Sequence, residues 1–383
     1  MNGSLRRILV ATTLCGLAVA AGPPAGAVAA PGPDAATAAP TATTAPAAPT
    51  ADCPAQPWVG GLRLATSVAP DDSRTSTVLH PRADGPKMQC GAKETTLRKD
   101  ITYATVPGAG GQPRELKLDV LAPTTGGPRP LVVFLPGGGF VTANKSGSLG
   151  RRTHLAEQGY VVASVEYRTT RDEATYVDGV ADAKAAIRFL RAHAAAYGID
   201  PSEVAVFGES AGGYLASMVG TTGGVQRFDA GAHLDQSSRV RAVVNWYGLS
   251  DLAKLAADFD PATRAAHENS TDSAAVKYVL GPNDPTRLQD APAAVAAADP
   301  ATYAGPGDAA FTHFHGTDDR VVSPSQTVLL HHALLARGVP TARFALKDAG
   351  HGPVVPEGDT SARMWETQHV IRPLTAFLRW QLH

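Results

Sequence analysis

The apolar run Val204 to Phe207 ends in Gly208-Glu209-Ser210-Ala211-Gly212 and is followed at once by a helical stretch. No other feature constrains the chain as much. A G-x-S-x-G turn between strand and helix reverses the backbone sharply, holds its serine out of the surface and needs small residues where the chain doubles back. Such a turn belongs at the carboxyl end of a strand in a sheet flanked by helices, so the rest of the chain is read for alternating strands and helices.

That alternation begins near residue 100. Runs at 100–105, 114–122, 130–135, 160–166, 204–207, 240–246, 310–315 and 341–347 read as strands, and 147–158, 178–197, 211–220, 325–337 and 364–382 as helices. The turn-rich Pro107-Gly108-Ala109-Gly110-Gly111 predicts an antiparallel hairpin, and the later, helix-length connections predict parallel crossovers. The expectation is a mostly parallel, eight-stranded α/β sheet flanked by helices over 99–383. The clearest helix, 178–197, aligns Val180, Ala183, Ile187, Leu190 and Ala194 on one face and stops at Gly198. Residues 248–308 carry broken helical pieces rich in Pro, Asp and Ala and read as a cap-like insertion over the serine. Trp246-Tyr247-Gly248 closes a strand on the serine's side, where Tyr247 reads equally as pocket lining or as core.

The amino-terminal quarter differs. Arg6 and Arg7, the apolar run Ile8 to Ala21 and the small residues Ala27-Val28-Ala29 read as a signal peptide over 1–29. The run is shorter than the ~20 residues that span a bilayer, so no stable membrane anchor is expected and the localisation read is secreted. Residues 30–51, almost wholly Ala, Pro, Thr and Gly, read as a disordered linker. Residues 52–98 show no sustained period and read as an extension stapled by a disulfide between Cys53 and Cys90, the cysteines left once Cys15 is cleaved away. A loop of roughly 37 residues closed this way contributes on the order of 3 to 4 kcal/mol. With 18% charged residues and a formal net charge of -1, the chain offers no basic surface for nucleic acid.

A serine hydroxyl is a weak nucleophile unless a base takes its proton and a carboxylate holds that base. Both follow in the chain. His315-Gly316-Thr317-Asp318-Asp319 places two carboxylates after the strand 310–315, and Asp348-Ala349-Gly350-His351-Gly352 sets a glycine-flanked histidine after the last strand. Ser210, Asp319 and His351 thus form the expected catalytic set, with Asp318 open as the alternative acid. His313, His331, His332 and His369 are weaker candidates for the base. Pro136-Gly137-Gly138-Gly139-Phe140 follows the strand Leu131 to Leu135, and its glycines let backbone N–H groups approach a developing oxyanion. The amides of Gly138, Gly139 and Ala211 are assigned to that hole. His313-Phe314-His315 lacks a convergent set of further ligands and is read with one ring on each face of the sheet, so no metal and no organic cofactor are expected.

These motifs together carry a resemblance. LVVFLPGGGF, VASVEYR, DAKAAIRFLRAHAAAYGIDPSEVAVFGESAGG, VRAVVNWYG, HGTDDRVVSPSQ and AGHG, spread over roughly three quarters of the chain, resemble the HGGG-type, hormone-sensitive-lipase-like esterases of the α/β-hydrolase fold, and most of all the bacterial feruloyl-esterase-like hydrolases. The resemblance implies Asp319 rather than Asp318 as the acid, four residues after His315. It also implies hydrolysis of short-chain acyl esters, acetyl or feruloyl esters of plant polysaccharide among them, by a monomer or small homo-oligomer. Amide or peptide hydrolysis by the same residues, or a catalytically silent binding module, are the alternatives. One position departs: Pro136 stands where the family has the histidine of its His-Gly-Gly-Gly motif, which alters the loop while leaving the donor glycines in place.

Overall fold

Alternation along the strands sets the architecture. Leu131, Val133 and Leu135 face one hydrophobic core and Val132 and Phe134 the other. Val204 and Val206 likewise oppose Ala205 and Phe207, as the two-residue period of a strand dictates. A sheet apolar on both faces must be covered twice. The helices Tyr176–Ala192, Ala211–Thr221 and Ser325–Ala336 cover one face, and Leu149–Glu157 and Gln368–Leu382 the other.

The computed structural model describes residues 50–60 and 63–383; the proposed signal peptide, Cys15 and linker residues 30–49 lie outside the described residues. In chain order the strands are β1 (Ala51–Asp52), β2 (Thr77–Leu79), β3 (Gln89–Cys90), β4 (Thr95–Pro107), β5 (Pro113–Pro123), β6 (Arg129–Leu135), β7 (Val161–Val165), β8 (Ile199–Glu209), β9 (Ala242–Trp246), β10 (Ala310–Gly316) and β11 (Thr341–Leu346). β1 and β3 form a separate antiparallel pair. The others form one nine-stranded sheet in the order β2-β11-β10-β9-β8-β6-β7-β5-β4, in which β5 pairs antiparallel with β4 and β7 and the remaining pairings are parallel.

The expected eight strands are therefore nine. The added β2 comes from the extension and pairs in parallel with β11, Val78 opposite Ala345. Behind it Arg343, 1% exposed, bonds Asp71 Oδ2 and Ser76 Oγ, both at 2.7 Å. Other parts of the extension run along the carboxyl-end loops: Ala65 N donates to Arg320 O and Val59 N to Pro353 O. A disulfide joins Cys53 to Cys90.

Two helix limits differ from the sequence reading. The helix expected at 178–197 starts at Tyr176 because Asp178 accepts the N–H of Thr175 at 2.9 Å in a capping box. It breaks at His193, whose ring bonds Phe189 O. The last helix begins at Gln368, after a 3-10 turn over Ser361–Glu366. Between β9 and β10, residues 248–308 carry four short α-helices and two 3-10 turns. This insertion stacks Tyr278 on Phe140 with ring centroids 4.6 Å apart and takes the Tyr214 hydroxyl on Ala298 O at 2.7 Å. Among the described residues no helix is long and apolar enough to cross a membrane.

Candidate active site

Parallel order places the loops after β6, β8, β10 and β11 at one edge of the sheet, outside the carboxyl ends of the strands. Ser210 lies at the tightest of these turns, with φ 53° and ψ −121°. A non-glycine residue at positive φ is strained, and the neighbouring glycines leave it room. A Cβ at Gly208 would collide with the Gly212 carbonyl, and one at Gly212 with the Leu135 carbonyl. The Ser210 N–H donates to Trp246 O at 2.9 Å, which ties the turn to β9.

His351 and Asp319 converge on this serine. His351 Nε2 lies 2.9 Å from Ser210 Oγ, and its Nδ1 2.7 Å from Asp319 Oδ2. Asp319 is fully buried, and its other oxygen accepts the N–H groups of Val321 and Val322, each at 2.9 Å. Burial alone raises its pKa, but the rings of His351 and His315 more than offset this and hold it below the ordinary carboxylate range. Asp318 pairs instead with Arg320 at 3.1 Å on the surface.

The other histidines lie elsewhere. His331 bonds Thr341, His332 bonds Thr75, His369 is exposed, and His313 is buried without a partner. His313 and His315 do not face opposite sides of the sheet. Both meet the helix Ser325–Ala336, one beside His331 and the other at Thr327, as residues two apart in a strand must.

The loop after β6 abuts the serine: a Cβ on Gly137 would stand 3.1 Å from Ser210 Cβ. Gly138 has φ 153° and no space for a side chain, since its Cβ would meet the Thr142 carbonyl. Gly138 O accepts the N–H groups of Val141 and Thr142, and the Tyr167 hydroxyl donates to Pro136 O at 2.6 Å. Those bonds fix the loop without using the N–H groups of Gly138 or Gly139. Ala211, first residue of its helix, has an N–H with no intrahelical acceptor.

Several neighbours of the site escaped the sequence reading. Glu209 is paired in the interior with Arg151, whose guanidinium also lies 4.1 Å over the Trp246 ring, and it accepts the Ser148 hydroxyl at 3.0 Å. A charged residue within the nucleophile turn was the signal, because a buried carboxylate requires a cation. Tyr247, which the sequence offers as pocket lining or as core, is buried with its ring 4.5 Å from that of His351, and burial raises its hydroxyl pKa to about 12.

Comparison with known proteins agrees with this fold. Over 130 residues the chain is 36% identical to the probable carboxylic ester hydrolase LipM of Mycobacterium tuberculosis, a match covering 34% of this chain and 30% of LipM. The chain thus spans about a third of that relative's length. A truncated carbohydrate esterase from gut microbiota superposes with a TM-score of 0.63 at 24% identity, covering 78% of this chain and 99% of that one. The butyrate-bound esterase Est2 of Thermogutta terrifontis gives 0.55 at 25% identity, covering 74% and 93%. The BD-FAE family matches residues 118–334, more than half of the chain, and the protein belongs to that family of α/β-hydrolases.

Proposed function

We propose that this protein is an exported serine carboxylesterase. The observation that carries the reading is the bonded series Ser210 Oγ, His351 and Asp319, set on a strained turn at the mouth of the sheet. In this reading Ser210 attacks the ester carbonyl while His351 takes its proton. The amides of Gly138, Gly139 and Ala211 receive the oxyanion. His351 then gives the proton to the leaving alcohol, and water repeats the sequence on the acyl-enzyme. Asp319 holds the ring in the tautomer this requires. No step uses a metal or organic cofactor.

Short acyl groups are the proposed acid side, supported by the butyrate-bound relative, with the ester carried on a small alcohol or on polysaccharide. The disulfide between Cys53 and Cys90 supports export, since such bonds persist in oxidising compartments.

The test is hydrolysis of 4-nitrophenyl esters from acetyl to palmitoyl, with Ser210→Ala alongside. Turnover greatest for the short esters and lost by about 10⁴-fold or more in Ser210→Ala is expected. Equal turnover by the variant would refute the assignment of the nucleophile.

A further inference from the structure

Where β9 ends, Tyr247 combines three features that core packing alone would select against. Its φ is 40°, in the left-handed region that a bulky side chain rarely enters. Its hydroxyl is buried without a hydrogen-bond partner. The loop after β11 gives way to it, since a Cβ on Gly352 would stand 2.5 Å from the Tyr247 hydroxyl, and Gly352 itself has φ 55°. Strained backbone persists only where its surroundings hold it, and it gathers at functional sites. The surroundings do hold it: the Tyr247 N–H donates to Phe314 O at 2.7 Å, and the next amide, that of Gly248, to Asn245 Oδ1 at 2.8 Å.

What the strained turn delivers is the phenol ring. Its centroid lies 4.5 Å from that of His351, with the two rings tilted by 53°. Trp365 packs edge-on against Tyr247 at 4.6 Å and donates its indole N–H to Gly350 O at 3.0 Å, so one side chain braces both the phenol and the residue before His351. The imidazole is thus faced by Asp319 at Nδ1, by Ser210 at Nε2 and by the Tyr247 ring at its side. Tyr247 is 2% exposed and His351 3%, so water scarcely reaches the contact between them.

In the proposed reaction the imidazole becomes an imidazolium when it takes the Ser210 proton, so any contact that favours the charged ring over the neutral one lowers the barrier. Asp319 supplies one such contact. An aromatic ring supplies another, because its electron-rich face attracts a cation within ~6 Å of the centroid, most strongly where water is excluded. We infer that Tyr247 is a positioning residue of the reaction, whose ring braces His351 and stabilises its protonated form. The hydroxyl, which bonds nothing, assigns this effect to the ring and not to the phenol O–H. The inference rests on the serine esterase reading and adds a residue to its proton-transfer set.

The experiment uses the full chain with Tyr247→Phe, Tyr247→Leu and pentafluorophenylalanine in place of Tyr247, each assayed on 4-nitrophenyl acetate as a function of pH. Tyr247→Phe keeps the ring and should retain kcat/KM within about threefold. Tyr247→Leu should lose roughly tenfold in kcat with KM within about twofold of the parent. Because the protonated imidazole loses support, the acid limb of its kcat/KM profile should also move to lower pH. A mere loss of packing would lower Tm and kcat and leave that limb in place. Pentafluorophenylalanine keeps the ring's shape but reverses its charge distribution, so it should follow Tyr247→Leu, and it decides the question if the leucine variant fails to fold. An unmoved acid limb in Tyr247→Leu, a loss in Tyr247→Phe as large as in Tyr247→Leu, or a fluorinated protein that matches Tyr247→Phe would overturn the inference. A parent that cleaves no 4-nitrophenyl ester, or whose activity survives Ser210→Ala, would instead overturn the esterase reading beneath it.

Discussion

His315 Nε2 lies 3.1 Å from Asp319 Oδ2, the same oxygen that meets His351 Nδ1 at 2.7 Å. The contact continues inward, because His315 Nδ1 bonds Thr327 Oγ1 at 3.0 Å and that oxygen accepts Arg343 Nε at 2.9 Å. A series of polar contacts therefore runs from Asp71 in the extension through Arg343, Thr327 and His315 to the carboxylate behind His351. His315 touches no substrate; it positions Asp319.

Replacing His315 with Phe removes one donor to a buried carboxylate. A hydrogen bond to a charged group is worth about 1.5 to 3 kcal/mol, so kcat for 4-nitrophenyl acetate should drop roughly tenfold to a hundredfold with KM little changed. Asp319, left with one donor fewer, attracts the Nδ1–H of His351 more strongly and favours the protonated ring, so the acid limb of the kcat/KM profile should move to higher pH. A parallel loss of thermal stability with an unmoved pH profile would make His315 merely structural.

How much of this was legible depends on the range over which each feature is decided. Ser210 and the glycines around it were readable because strand, turn and helix are contiguous, and the β4–β5 hairpin because its turn residues are local. Asp319 could not be told from Asp318 by spacing, since what separates them is burial against His351, a residue 32 positions later. β2 spans only three residues, too few to display a period, and its place comes from hydrogen bonding to β11 and from Arg343 behind it. The role of His315 was hidden for the same reason: a histidine on a buried strand shows its purpose only through what the next loop brings to it.

The Arg343–Asp71 pair makes a stability prediction. Both side chains are buried, at 0% and 4% exposure, and Arg343 has no other carboxylate within bonding distance among the described residues. Asp71→Ala would leave a guanidinium uncompensated in the interior, which costs about 3 to 5 kcal/mol and should lower Tm on the order of 10 °C in scanning calorimetry. Asp71→Asn, which keeps an acceptor, should lose less. A shift under about 2 °C for the alanine variant would refute the claim that this pair anchors the extension.

Gly138 tests the oxyanion loop. With φ 153° and the Thr142 carbonyl where a Cβ would go, Gly138→Ala must displace the backbone that presents the Gly138 and Gly139 amides. Loss of one such donor costs about 10² to 10³ in kcat, and that is the expected range, with KM changing far less. Gly139→Ala is the contrast. Its φ is 59° but nothing lies within 4 Å of an added Cβ, so the same measurement should show a smaller loss.

Acid sensitivity follows from two histidines outside the active site. Burial lowers the pKa of His331 to about 4, and His313, buried without a partner and faced by His331, Arg343 and His315, is held well below the usual histidine range. A group whose pKa is lower folded than unfolded binds its proton preferentially in the unfolded chain. Stability is then full above about pH 6.5 and falls as pH drops toward 4. Urea midpoints measured between pH 7.5 and 4.5 should decline through this window, before carboxylates such as Asp319 begin to protonate. His331→Asn keeps a side-chain partner for Thr341 but cannot titrate there. Its midpoint should fall less between pH 7 and pH 5 than the parent's, and an identical slope in the two proteins would assign the acid loss to other groups.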